Sequence, residues 1–258
     1  MQEKRKFRTR AVILTLIWVV LLVLSLSFLS ILESLFAVNP QSQSISSLSW
    51  AGYIIAKDSN SKFEVTGVEA SWIVPKVNVS SGDGYSSAWI GIGGQLDKSL
   101  IQVGTEQDVI SGQNTYIAWY ELLPSFAVQL TSITVSPEDT MIASINLVNS
   151  NTNQWRIQIS DATTGQAISR NVFYNSTRSS GEWIVERPTI NNQITTLADF
   201  GNIKFTDCHV NVNDVTGPIA RSSFDRIQMA NSKNTELSSA STLTAGGTSF
   251  TVSYLAGK

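Results

Sequence analysis

Gln154-Trp155-Arg156-Ile157-Gln158-Ile159-Ser160 is the stretch whose pattern decides the fold. Trp155, Ile157 and Ile159 alternate with Gln154, Arg156, Gln158 and Ser160. Successive strand side chains point to opposite faces, so this alternation predicts one apolar face and one wet face. Asp161-Ala162-Thr163-Thr164-Gly165 follows as a turn, and Ile168, Arg170 and Val172 return as a second strand. Upstream, Ile133 and Val135 alternate before a turn at Ser136-Pro137-Glu138-Asp139, and Met141 to Val148 reads as a more buried strand. Worked outward, the pattern predicts further strands at Glu64–Val74, Ser87–Ile92, Leu100–Gly104, Ile117–Leu123, Glu182–Glu186, Ile203–Val210 and Ser249–Tyr254. No convincing amphipathic helix follows residue 35. About ten or more strands in one stretch of this length predict an all-β fold, a two-sheet antiparallel β-sandwich of the concanavalin-like or jelly-roll type.

The N-terminus reads differently. Ala11 to Leu32 is 22 residues without a charge, and about 20 suffice for a helix to cross a hydrocarbon core. Lys4, Arg5, Lys6, Arg8 and Arg10 precede it, which favours a cytoplasmic start and an exported body. The expected organisation is a basic cytoplasmic segment over 1–10, a signal anchor or cleaved signal peptide over 11–35, and a Ser/Gln-rich linker over 36–48. The sandwich then occupies 49–258, secreted or held on the outer side of the cell membrane through residues 11–32.

Charge and counting exclude several chemistries. The chain has 18 Lys+Arg and 20 Asp+Glu in 258 residues. Five of those bases and two of those acids lie in residues 1–38, leaving 13 and 18, a net −5, to the rest. That body lacks the basic excess of a nucleic-acid binder. One Cys and one His in the whole chain allow neither an internal disulfide nor a zinc site of three or four His and Cys ligands. Cys208 and His209 are neighbours, pointing to opposite faces if on a strand, so they cannot form a dyad. No Gly-x-Ser-x-Gly elbow is present. Neither a metal nor a cofactor is expected, which leaves carboxylate and amide chemistry.

Six segments in order carry a resemblance. They are Ser49-Trp50-Ala51-Gly52, Ala88-Trp89-Ile90-Gly91-Ile92-Gly93-Gly94, Ile101-Gln102-Val103-Gly104, Ala118-Trp119-Tyr120-Glu121, Glu182-Trp183-Ile184-Val185-Glu186, and Ala198-Asp199-Phe200-Gly201 with Phe205-Thr206-Asp207. Together they resemble the glutamic peptidases, or eqolisins, a family of acid endopeptidases. The resemblance implies two long curved sheets with a substrate cleft on the concave face, and a catalytic pair of Gln102 and Glu186. It implies that Trp50, Trp89 and Glu121 line the cleft, with Trp119 sharing a strand face with Glu121. Protein or peptide substrates are the implied partners.

The residue chemistry agrees with that pair. On an extended strand Glu182, Ile184 and Glu186 face one side and Trp183 and Val185 the other. A carboxylate there can deprotonate a water as it attacks a peptide carbonyl and return the proton to the leaving amine. Gln102 offers two N–H donors and one acceptor, suited to placing that water and stabilising the oxyanion. The two side chains are expected within hydrogen-bond or one-water reach of each other. The sequence departs from the family at Ile92-Gly93-Gly94, where many relatives have Ile-Asp-Gly, and at Ile117, where an acid precedes Ala-Trp-Tyr-Glu. Those losses keep a second reading open, a carbohydrate-binding or catalytically inactive β-sandwich.

Overall fold

The hairpin is present: Gln154–Asp161 pairs antiparallel with Ala167–Phe173, placing Trp155 opposite Val172 and Ile159 opposite Ile168. Asp161 builds its turn, accepting from the Thr163 amide and the Thr164 hydroxyl. The computed structural model describes residues 42–56 and 63–258. The apolar stretch 11–32, with the signal or membrane element read from it, lies outside them. Among the described residues, no helix is long and apolar enough to cross a membrane.

In chain order the strands are β1 Ser42–Ser47, β2 Trp50–Ala56, β3 Val65–Ile73, β4 Ser87–Gly93, β5 Leu100–Ile110 and β6 Gln113–Leu122. Then come β7 Val128–Gln129, β8 Thr140–Asn149, β9 Gln154–Asp161, β10 Ala167–Phe173, β11 Ser180–Glu186, and the small ribbon β12 Thr189–Ile190 with β13 Gln193–Ile194. β14 Asn202–Val212, β15 Val215–Pro218, β16 Phe224–Ala230, β17 Glu236–Ala240 and β18 Phe250–Tyr254 complete the series.

All but the β12–β13 ribbon join one hydrogen-bonded path, β10-β9-β8-β3-β14-β18-β17-β16-β2-β11-β4-β5-β6-β7, with β1 and β15 paired at its sides. The path folds over on itself, because β16 belongs to both halves. Its Phe224–Ile227 pairs with β2 and its Gln228–Ala230 with β17. The two layers meet over a core including Trp72, Trp155, Trp183, Phe205 and Phe250. Hydrogen bonds cross it, from Trp183 Nε1 to the Glu69 carbonyl (3.0 Å) and from Trp72 Nε1 to Thr105 Oγ1 (3.0 Å). Phe205 stacks on Phe250 at 5.1 Å, which in turn meets Tyr53 edge-on at 4.7 Å. Truncating a buried aromatic of this kind to Ala costs about 3–5 kcal/mol.

Three expectations need correction. Residues 42–47 are not linker: they form β1, in register with β16 from Ser42 opposite Phe224 to Ser47 opposite Met229. That pairing is parallel, so the sheet is antiparallel except at this edge. Ile133 and Val135 are buried but belong to no strand, because Ile133 closes a turn back to the Leu130 carbonyl. The strand expected over Leu100–Gly104 continues to Ile110, which matters for the site.

Candidate active site

Three successive rows of residues cross β11, β4, β5 and β6. The first is Glu182, Gly91, Gln102 and Glu121; the second Ile184, Trp89, Gly104 and Trp119; the third Glu186, Ser87, Glu106 and Ile117. β2 extends them with Ile54, Gly52 and Trp50. Alternation puts all these side chains on one face, while Trp183, Val185, Ala88, Ile90 and Val103 enter the inter-layer core on the other. The site face therefore has its own small apolar floor of Ile54, Trp89, Leu100, Trp119, Ile184 and Ile227.

Two glycines make room for Trp89. A Cβ on Gly104 would stand 2.5 Å from Trp89 Cβ and 2.3 Å from the Ala88 carbonyl, and one on Gly91 would stand 2.9 Å from the indole's Cζ3. The wholly buried indole thus lies flat across the rows, and its Nε1 donates to Glu186 Oε2 at 2.8 Å. Trp50, opposite Glu186 on β2, meets the Trp89 ring edge-on at 5.2 Å. Glu186 is half-buried, and crowding around its carboxyl pushes the pKa up to about 7. The Trp50 and Trp89 indoles pull it down, and the charges of Glu121 and Glu106 raise it.

Gln102 is 4 % exposed, and its Nε2 donates to Glu121 Oε2 at 2.6 Å. Its Oε1 is buried without a partner, and so is the indole Nε1 of Trp119. An acceptor and a donor thus stand unpartnered at the floor of one face, where buried polar groups ordinarily pair with protein, water or ligand. Burial raises the Glu121 pKa, and the bond from Gln102 opposes the rise.

Gln102 and Glu186 share the face but no direct hydrogen bond. They stand two strands apart, in the first and third of these rows. Glu121 links them, holding the Gln102 amide and acting on Glu186 by its charge. Trp89 and Trp119 are 0 % and 5 % exposed, so they form the floor and offer no open ring face.

The alternation of β5 adds two acids that sequence reasoning missed. Gln102, Gly104, Glu106 and Asp108 share one face; following period two beyond Gly104 would have found the pair. Burial raises the Glu106 pKa, and Glu121 adds to it. Asp108 is pushed up to about 7 by burial and then by Glu106, although it accepts from the Ser86 amide at 3.1 Å. Glu182 is wholly buried with neither carboxyl oxygen firmly bonded, and burial holds its pKa well above the usual range. Among the described residues no group of His, Cys, Asp and Glu could hold a metal ion.

This floor of tryptophans under a glutamine and a glutamate coincides with a family match. The Peptidase A4 family profile matches residues 48–254. The chain belongs to that family, the glutamic peptidases. Aspergillopepsin-2 of Aspergillus niger is 30% identical over 234 residues, 81% of this chain and 78% of that one. Scytalidopepsin B of Scytalidium lignicola is 28% identical over 189 residues, 67% of this chain and 66% of that one. A crystal structure of scytalido-glutamic peptidase with a transition state analog inhibitor shares the fold, with a TM-score of 0.68. It is 24% identical and covers 80% of this chain and 98% of that one.

The peptidase's two departures have structural accounts. Gly93 has φ +93°, and a Cβ there would stand 2.2 Å from the Ser99 carbonyl, so no aspartate fits this backbone. Ile117 packs against the apolar floor in the row of Glu186 and Glu106.

Proposed function

We propose that this peptidase is an exported endopeptidase working in acid solution, with Glu186 carrying the proton and Gln102 placing the water and the oxyanion. The observation that carries this reading is the pairing of a crowded Glu186 carboxyl, bonded to Trp89 Nε1, with an unpartnered Gln102 Oε1 on the same face. Export rests on the uncharged stretch Ala11 to Leu32 behind its basic start.

The raised pKa reverses the order of events expected from an ordinary glutamate. With a pKa of about 7, only about one Glu186 in a thousand is ionised at pH 4. The majority form is the acid. Glu186 therefore first gives its proton to the scissile carbonyl oxygen as water attacks the carbon. The carboxylate left behind takes a proton from the attacking water, giving a gem-diol and restoring the acid. Glu186 then protonates the amide nitrogen, the C–N bond breaks, and a diol hydroxyl returns its proton to the carboxylate. Gln102 Oε1 accepts from the water and its second N–H faces the developing oxygen. Glu121 fixes which end of that amide points where. Trp119 Nε1 donates to a substrate carbonyl, and Trp50 covers the Glu186 end of the cleft. The separation of the two side chains leaves the substrate and its water to bridge them.

A sugar-binding surface would need open indole faces, and Trp89 and Trp119 present none. The test is the initial rate on an unfolded protein near pH 4, with circular dichroism to confirm folding. Glu186→Gln should lower it about 10²–10⁴-fold, the usual worth of general acid–base assistance. Gln102→Ala should lower it about 10²–10³-fold. Wild-type activity in either folded variant removes that residue from the mechanism.

A further inference from the structure

The family match begins at residue 48, and β1, Ser42–Ser47, lies just ahead of it. This strand ends on the residue that sets the entry of β2. Ser47 Oγ accepts from the Trp50 amide at 3.1 Å and from the Ser49 amide at 3.2 Å. From the other side, the residue after Glu186 holds the same four-residue connection. The Arg187 amide donates to the Ser49 carbonyl (2.8 Å), and its Nη2 donates to the Leu48 carbonyl (2.6 Å). Arg187 is 7 % exposed, and among the described residues it makes no ion pair. Its long buried side chain is thus committed to a backbone carbonyl of this connection. Ile45 of β1 packs against the same apolar floor as Trp50.

We propose that Ser47 and Arg187 form a clamp that positions Trp50, and through Trp50 the carboxyl of Glu186. β1 is the part of the clamp that lies outside the family core: six in-register pairs with β16 fix where Ser47 stands. Ser47 fixes the Trp50 backbone. The Trp50 ring holds Trp89 edge-on at 5.2 Å, and Trp89 Nε1 holds Glu186 Oε2 at 2.8 Å. Neither Ser47 nor Arg187 touches the reacting atoms in this arrangement. Their effect is to keep two indoles against one carboxyl, and small displacements of a reacting group cost rate steeply. The inference rests on Glu186 being the catalytic acid.

The experiment uses the full chain as wild type, Ser47→Ala, Ser47→Thr and Glu186→Gln. The readouts are kcat and KM on one peptide substrate from pH 3 to 8, together with the Glu186 titration by carboxyl carbon NMR without substrate. Ser47→Ala should lower kcat by about ten- to a hundredfold with little change in KM. It should also move the Glu186 titration to higher pH, because a loosened Trp50 no longer opposes the rise. Ser47→Thr keeps the accepting oxygen and should restore both. The clamp is overturned if Ser47→Ala titrates and turns over like wild type. It is equally overturned if Ser47→Thr and Ser47→Ala lose activity alike with the Glu186 titration unmoved. Retained activity in Glu186→Gln would instead sink the assignment on which the clamp rests, and the NMR titration still reports whether Ser47 acts on Glu186.

Discussion

Glu186→Gln should change how the stability of this peptidase depends on pH, apart from any effect on rate. The wild-type carboxyl has an ordinary pKa of 4.5 unfolded and about 7 folded. Below 4.5 both states hold the proton and burial of this group costs nothing extra. Between the two values the folded state binds more proton than the unfolded state, so stability falls as pH rises. Above about 7 the full cost is present. At about 1.4 kcal/mol per unit that cost is about 3 kcal/mol, an upper value because the residue retains some surface. Glutamine cannot ionise and loses nothing across the same range. Its NH₂ faces an indole N–H at every pH, which lowers stability by a fixed amount and cancels when two pH values are compared. Asp108, also pushed up to about 7, remains in both proteins and cancels too. Urea or thermal unfolding at pH 4 and pH 8 measures the difference. Wild type should lose about 3 kcal/mol more than the variant between them, at about 2–4 °C of Tm per kcal/mol for a domain of this size. Stability curves that run parallel from pH 4 to 8 would refute the claim that burial shifts Glu186.

Gly104→Ala places a methyl 2.3 Å from the Ala88 carbonyl and 2.5 Å from Trp89 Cβ. It should destabilise by about 1–3 kcal/mol in urea unfolding and displace the Trp89 indole, seen as altered tryptophan fluorescence with lost activity. Glu182→Gln should keep the rate at pH 4 within about tenfold of wild type, since Glu182 is wholly buried and bonded to neither Gln102 nor Glu186. Because burial raises the Glu182 pKa well above 4.5, the same variant should lose less stability than wild type as pH rises above that ordinary value, checked by thermal unfolding from pH 5 to 9.

Much of this was legible in the sequence because alternation is a local signal. The Trp155–Ile159 strand, its Asp161–Gly165 turn and the return through Val172 follow from period two and turn chemistry alone. β1 and β16 were not legible, because neither Ser42–Ser47 nor Phe224–Ala230 carries a clean apolar face. β16 serves two layers, with Ile227 in the site floor and Met229 in the main core, and β1 exists only because β16 offers it an edge. Gln102 and Glu186 were singled out through motif resemblance alone, since one polar residue on a strand has no signal of its own. The shift of Glu186 was not readable at all. It comes first from burial of the carboxyl, which two indoles oppose and the charges of Glu121 and Glu106 reinforce; these groups come from four other strands, and linear order gives no hint of that crowding.

The most direct test of the central claim is the pH profile of kcat/KM for the full chain on an unstructured peptide, from pH 2 to 9, beside Glu186→Gln. If Glu186 starts each turnover as the acid, the wild-type profile stays high in acid solution and falls above about pH 7, the pKa of the group, while the folded variant is low throughout. A profile that climbs about tenfold per unit from acid toward neutrality would show that the ionised form does the work and would contradict the proposed order of proton transfers. Equal rates for the two proteins would contradict the role of Glu186 itself.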